Sequence, residues 1–242
     1  MTQILAHRGY SKCYPENTML AFKKAATFPI AGFELDVHLT KDGVPVICHD
    51  EDIARTSNGK GLTKDMTFEE LKGYSFSNGM TFEDIPVEDL SMPSLEEFFD
   101  WFAQGRLIVN IELKTNIFTY PGIEEKLVDM VKAYGLEKRV IFSSFNHHTI
   151  ERVQGLSSIP CGFLNDSGLL KPGAYCKERG VAYYHPNYLS LEAEDFDDLK
   201  AHGIGLNPYT VDDEKVMRYL KDKGATYIIT NDVEKACRVL GL

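Results

Sequence analysis

Residues 32–50 read Gly32-Phe-Glu-Leu-Asp-Val-His-Leu-Thr-Lys-Asp-Gly-Val-Pro-Val-Ile-Cys-His-Asp50. The first part, Gly32 to His38, is a β-rich run in which Phe33, Leu35 and Val37 alternate with Glu34 and Asp36, the two-residue period of a strand. Only Thr40-Lys-Asp-Gly43 separates it from a second run, Val44 to His49. A parallel crossover needs a dozen or more residues, whereas Asp-Gly is a strong signal for a tight hairpin. The second run therefore folds back antiparallel and stands outside any parallel count. With Asp42-Gly43 as the turn centre, position 49 falls roughly opposite position 36, which makes His49 a neighbour of Asp36.

Outward from this stretch, similar runs recur with helix-like segments between them, the rhythm of parallel βα units. They are Gln3 to Ala6, Gly32 to His38, Leu107 to Leu113, Arg139 to Ser144, Ile159 to Leu164, Val181 to Tyr184, Ile204 to Asn207 and Thr226 to Ile229. Helix starts are marked by Ser94-Leu-Glu-Glu97, a capping box, and by Asn231 with Glu234 three residues later. Eight such strands in 242 residues predict an α/β fold, a (β/α)8 TIM barrel occupying residues 1–242 as one domain. Between residues 51 and 92 the pattern weakens into polar and glycine-containing sequence with scattered Phe68, Phe76, Met80 and Phe82. This segment is expected to form a small insertion on the face where barrel strands end.

The chain carries 26 Lys and Arg against 36 Asp and Glu, a formal charge of −10, with 43% apolar residues. That apolar fraction supports a full core and excludes disorder. The acidity excludes nucleic acid as a partner, since that needs clustered cations. Cys13, Cys48, Cys161, Cys176 and Cys237 are odd in number, scattered and never in a CxxC pair, so neither a disulfide framework nor a zinc cluster is expected. A cytoplasmic location fits this usage. The start, MTQILAHRGY, lacks the pattern of a signal peptide, and no 18-residue apolar stretch suggests integral membrane association.

Four clusters carry chemistry: His7-Arg8-Gly9, Glu34-Leu-Asp36, His49-Asp50 and Glu112-Leu-Lys114. In a barrel the strand ends converge on one mouth. Glu34, Asp36 and Glu112 crowded there would repel one another unless a cation joined them, which points to a hard divalent ion, Mg²⁺ or Ca²⁺. His7 and His49 suit paired acid and base work because their ordinary pKa lies near neutrality. Arg8 and Lys114 suit an anionic group such as phosphate. Phe145, Tyr209 and His185 are candidates for the substrate-facing wall. His38, on the face of Asp36 but past the ligand pair, is expected to stay outside the ligand set. Glu16 and Asn17 are read as beginning the first helix, with Asn17 either a cap or an orienting group, and Cys48 as buried.

Taken in order, His7-Arg-Gly9, Pro15-Glu-Asn-Thr18, Glu34-Leu-Asp-Val37, Thr40-Lys-Asp-Gly43, His49-Asp50, Pro93-Ser-Leu-Glu-Glu97 and Glu112-Leu-Lys114 resemble the glycerophosphodiester phosphodiesterase family. The match is collinear over about the first 115 residues and continues weakly to Thr230-Asn-Asp232. The resemblance implies a (β/α)8 barrel that hydrolyses small-molecule glycerophosphodiesters to glycerol 3-phosphate and an alcohol with a divalent metal. It implies His7 and His49 as the acid and base pair, Glu34, Asp36 and Glu112 as metal ligands, and Arg8 and Lys114 near the phosphate. It further implies that the segment after Asp50 is the family's insertion. One departure stands out: Tyr209-Thr-Val-Asp212 occupies the place of a usual Trp-Thr-Val-Asn.

Two rival readings follow from the same residues. A lysophospholipase D would need an apolar channel, for which Phe68, Phe76, Met80 and Phe82 are the available side chains. A non-catalytic phosphopolyol-binding protein is the other, against which the joint presence of both histidines and all three carboxylates argues. A homo-oligomer stays open.

Overall fold

The computed structural model describes residues 1–82 and 85–242. Its nine-stranded sheet runs β1 (Gln3–His7), β2 (Gly32–Leu39), β3 (Pro45–Ile47), β4 (Ile108–Leu113), β5 (Val140–Ser144), β6 (Cys161–Asn165), β7 (Tyr183–Pro186), β8 (Gly205–Leu206) and β9 (Tyr227–Thr230). The neighbours run in the order β8-β7-β6-β5-β4-β2-β1-β9, all parallel, with β3 paired antiparallel to β2. Beyond that ladder, Thr226 N–H donates to the Leu206 carbonyl at 2.8 Å and Ile229 N–H to the Pro208 carbonyl at 3.1 Å, bringing the last strands together. Eight parallel strands thus form a nearly closed barrel among the described residues, as their β-rich runs predict.

Helices α1 (Met19–Ala25), α2 (Phe68–Lys72), α3 (Leu95–Phe102), α4 (Ile123–Ala133), α5 (His147–Leu156), α6 (Pro172–Glu178), α7 (Ala193–His202), α8 (Glu214–Asp222) and α9 (Val233–Leu240) lie between the strands, except α2, which is in the insertion, and α9, which follows the last strand. The helices other than α2 turn apolar side chains into the barrel core, because a strand covered on its outer face must meet an apolar partner. Phe22 of α1, Phe33 of β2 and Phe98 of α3 meet edge to face with centroids 4.9 to 6.0 Å apart, a geometry that ring quadrupoles favour. The capping box at α3 is formed as expected: Ser94 Oγ accepts from Glu97 N–H and Glu97 returns a bond to Ser94 N–H.

Two local expectations shift by one residue. The N-cap of α9 is Asp232, whose carboxylate accepts from Lys235 N–H, and not Asn231, whose side chain is taken up elsewhere. In the hairpin, Val37 pairs with Ile47, His38 with Val46 and Leu39 with Pro45, and Cys48 N–H donates to the Asp36 carbonyl. Position 48, rather than 49, therefore lies opposite Asp36. The turn is a longer loop than Asp-Gly alone requires: Thr40 Oγ accepts from Val44 N–H and donates to Asp42, locking the chain from 40 to 44.

The described residues of the segment 51–92 build a small core with the hairpin. Ile53, Leu71, Phe76 and Met92 pack with Val46 and Cys48 of the hairpin, all buried. Burying Ile53, Leu71 and Phe76 contributes on the order of 2 kcal/mol each, enough to seat a segment with little regular structure. Phe68 packs against the same cluster and Phe82 stacks on Tyr14.

Candidate active site

The parallel register creates the site. His7 aligns with Glu34, and Asp36 with Glu112, so residues far apart in the chain reach the same end of three adjacent strands. Glu34, Asp36 and Glu112 each offer an oxygen within 4.8 Å of the other two. All three side chains are buried. Glu34 Oε2 and Asp36 Oδ1 accept no hydrogen bond, and Lys114 Nζ lies 3.0 Å from Glu112 Oε1.

Three buried carboxylates this close cannot all ionise at their ordinary pKa. Burial and the charges of Asp36 and Glu112 raise Glu34 well above the usual carboxylate range, and burial pushes Glu112 up to about 7. Burial acts upward on Asp36 too, yet Arg8, Lys114 and the Asn17 amide outweigh it and hold it ionised. An all-oxygen set with unpartnered lone pairs fits a hard divalent cation such as Mg²⁺ or Ca²⁺, which would supply the missing charge.

Two cations flank the carboxylates. Arg8 Nε lies 3.2 Å from Asp36 Oδ2, and Lys114 Nζ lies 3.0 Å from Glu112 and 3.6 Å from Asp36. Arg8 takes the left-handed conformation, φ 56°, ahead of Gly9 at φ 83°. A side chain at Gly9 would strike the Ala21 backbone at 2.7 Å, so the tight turn that presents His7 and Arg8 depends on glycine.

His7 is held by the opposite end of the chain. Its Nδ1 lies 2.7 Å from Asn231 Oδ1, and Asn231 Nδ2 donates to Asp212 Oδ2 at 2.7 Å. Because Asp212 only accepts, it turns the amide so that the oxygen faces His7, and Nδ1 must carry the proton. Nε2 is left with its lone pair toward the cavity. Burial and the neighbouring Arg8 push the His7 pKa down to about 4.

His49 sits just beyond β3. Its Nδ1–H donates to Asp50 Oδ1 at 2.5 Å, and the carboxylate is ionised at neutral pH. Burial acts upward on Asp50, but hydrogen bonds from Arg55 and His49 bring it to about 2. The His49 carbonyl accepts from His38 Nε2 at 3.1 Å, whose Nδ1 in turn accepts from Tyr120 OH at 2.9 Å. His38 therefore braces the backbone of His49 and is committed there rather than to a metal.

His7, Arg8, Glu34, His49, Glu112, Lys114, Phe145 and Tyr209 line one cavity of about 400 Å³, together with Asn116, Leu164, Asp166, Thr210 and Ile229. Tyr209 OH donates to Asp166 at 2.8 Å, and its ring meets Phe145 edge to face. His185 differs from expectation: it is completely buried inside the barrel, where Nε2 accepts from Asn207 Nδ2 at 3.1 Å, and it does not line the cavity. A Cβ at Gly162 would lie 2.3 Å from the His185 ring, so the glycine makes room for it. None of Phe68, Phe76, Met80 and Phe82 lines the cavity either.

Several residues at the site take roles that the motifs containing them do not spell out. Asn231 and Asp212 orient His7, Asn17 donates to Asp36 at 2.9 Å instead of capping α1, and Thr18 is the cap. Glu16 does not begin the helix; it bonds Arg8 and Arg55. Only for Asn17 does the sequence offer the orienting role as an alternative.

The glycerophosphoryl diester phosphodiesterase family model matches residues 7–235. A glycerophosphodiester phosphodiesterase of Caldanaerobacter subterraneus subsp. tengcongensis is 41% identical over 238 residues, 96% of this chain and 95% of that one. A glycerophosphodiester phosphodiesterase of Bacillus altitudinis is 38% identical over 99% of this chain and 98% of its own. Among solved structures, an Oleispira antarctica phosphodiesterase in complex with the product sn-glycerol-3-phosphate superposes with a TM-score of 0.86 at 26% identity, covering 100% of this chain and 98% of that one. No helix among the described residues is long and apolar enough to cross a membrane. With the barrel, the acidic cluster and these relatives in agreement over nearly the whole length, the chain belongs to the glycerophosphoryl diester phosphodiesterase family.

Proposed function

We propose that this chain hydrolyses small glycerophosphodiesters to glycerol 3-phosphate and an alcohol, with Glu34, Asp36 and Glu112 holding Mg²⁺ or Ca²⁺. The observation that carries the reading is the meeting, at one cavity that Glu34 and Glu112 line, of a buried three-carboxylate set with unpartnered oxygens and two histidines whose Nδ1 atoms are each tied to an acceptor. A bound divalent cation would neutralise charge on a non-bridging phosphate oxygen. Arg8 and Lys114, fixed against Asp36 and Glu112, add donors for the remaining phosphate charge.

His7, neutral with Nε2 free, takes the proton of the nucleophile, which is the glycerol 2-hydroxyl or a water. His49 gives the proton from Nε2 to the departing alkoxide as the phosphorus–oxygen bond breaks. Phe145 and Tyr209 offer flat faces on which the glycerol unit packs. The cavity wall favours a short diester over a lysolipid, since Phe68 and Phe76 pack into the insertion's core, Phe82 stacks on Tyr14, and none of them lines the cavity. Five free thiols, four of them buried, fit a reducing compartment, and we place the protein in the cytoplasm.

The test is kinetic. With glycerophosphocholine as substrate, His7→Ala and His49→Ala are each expected to lower kcat by about 10²- to 10⁴-fold, and chelator to abolish release of glycerol 3-phosphate. Near-normal turnover in either variant, or in excess chelator, sinks the reading.

A further inference from the structure

The insertion reaches the site through the Arg55 side chain. Arg55 ends the one-turn helix Ile53–Arg55 that follows the hairpin, and its root, Ile53, is wholly buried in the insertion's core. Its guanidinium spans two carboxylates. Nη1 and Nη2 donate to Glu16 at 2.9 and 2.7 Å, while Nε and Nη2 donate to Asp50 at 2.5 and 3.1 Å. Such two-pronged pairing is the strong form of the arginine–carboxylate contact and fixes both partners in orientation.

The chain of contacts continues at both ends. Asp50 Oδ1 accepts the hydrogen bond from His49 Nδ1–H. Glu16 Oε1 also takes Arg8 Nη1 at 2.9 Å, and Arg8 Nε lies 3.2 Å from Asp36. Arg55 spends four donor bonds on these carboxylates and does not line the cavity, so it is not placed to hold the phosphate. Without it, Asp50 and Glu16 would lose the cation they share, and Asp50, partly exposed, would be free to turn to water. His49 would then lose the partner that aims its ring.

We propose that Arg55 is a positioning residue: the insertion's guanidinium locks Asp50 onto His49 Nδ1 and thereby aims Nε2 at the departing alcohol oxygen. The inference rests on reading His49 as the proton donor. In that step the Nε2–H proton passes to the alkoxide oxygen, which keeps the electron pair of the broken phosphorus–oxygen bond. The insertion is thus a working part of the acid, holding it from outside the barrel.

Leaving groups of different basicity test this. Choline departs as a basic alkoxide and needs the proton, whereas p-nitrophenolate departs without it. Arg55→Gln is expected to lower kcat on glycerophosphocholine about 10- to 100-fold with KM within about threefold, while glycerophospho-p-nitrophenol loses less than about threefold. Arg55→Lys, able to hold one carboxylate at a time, should fall between wild type and Arg55→Gln. If Arg55→Gln fails to fold, Arg55→Lys and Asp50→Asn carry the same comparison. Equal losses on both substrates in these variants, with His49→Gln still discriminating between them, overturn the proposal. Equal losses in His49→Gln itself overturn instead the assignment of His49 as acid.

Discussion

Nδ1 of His7 and Oδ1 of Asn231 meet at 2.7 Å although 224 residues separate them. The contact joins the end of the first barrel strand to the loop after the last, and Asp212 behind Asn231 leaves only one orientation of the amide. Asn231→Leu is therefore expected to lower kcat on glycerophosphocholine by about 10- to 100-fold, with KM within about threefold. Steady-state kinetics check this. A change confined to KM would make Asn231 a substrate contact instead.

The acidic cluster predicts two thermal shifts of opposite logic. Adding Ca²⁺ or Mg²⁺ to chelator-treated protein should raise Tm by roughly 5 °C at saturating metal, and Glu34→Gln should remove that rise. In chelator alone, Glu34→Gln should melt at or above wild type, because a neutral amide ends the crowding of like charge. Calorimetry with and without metal reads both. A variant that still gains the full shift would remove Glu34 from the ligand set.

His185 predicts part of the acid sensitivity. Burial lowers its pKa from the ordinary 6.5 to about 3, so between those values the unfolded chain binds the proton and the folded one does not. Its contribution to stability is complete above pH 6.5 and falls as pH drops toward 3, with a limiting slope of about 1.4 kcal/mol per pH unit. His185→Asn, which does not titrate, should lose less stability than wild type between pH 7 and pH 4.5 in urea unfolding. Equal losses would place the acid sensitivity elsewhere.

Tyr209 stands where the family usually has tryptophan. If the flat face is what matters, Tyr209→Trp should leave KM for glycerophosphocholine within about threefold, while Tyr209→Ala should raise it by roughly 10-fold with kcat nearly held. A kcat loss in Tyr209→Ala with KM unchanged would argue for a part in the chemical step.

Features that depend on neighbours in sequence were legible before any coordinates. The β-rich runs mark the barrel strands because a parallel strand is buried on both faces. Asp42-Gly43 marks the hairpin because few residues tolerate a sharp reversal. Glu34 and Asp36 share a face because strand side chains repeat every two residues, and the register of β2 against β4 then carries Glu112 to them.

Other features were not legible, each for a definable reason. The hairpin register moved by one residue because Thr40 and Asp42 build a longer loop with their own side chains. His185 lies at the C-terminal end of a strand as His7 does, yet Gly162 leaves a space that its ring fills. Arg55 reads as an exposed charge in a weakly patterned segment, and only the docking of Ile53 into the insertion's core brings it against Asp50 and Glu16.

From the sequence alone came the barrel, the hairpin and the inventory of acids, bases and cations, since these follow from periodicity and residue type. Which atoms are tied and which are free came only from the folded chain. Asn231 on His7 joins the first strand's end to the loop after the last, His38 beneath His49 spans the hairpin, and Arg55 on Asp50 and Glu16 ties the insertion to the barrel. Local propensity carries no record of them, because each exists only once the hairpin, the insertion and the last strand have packed.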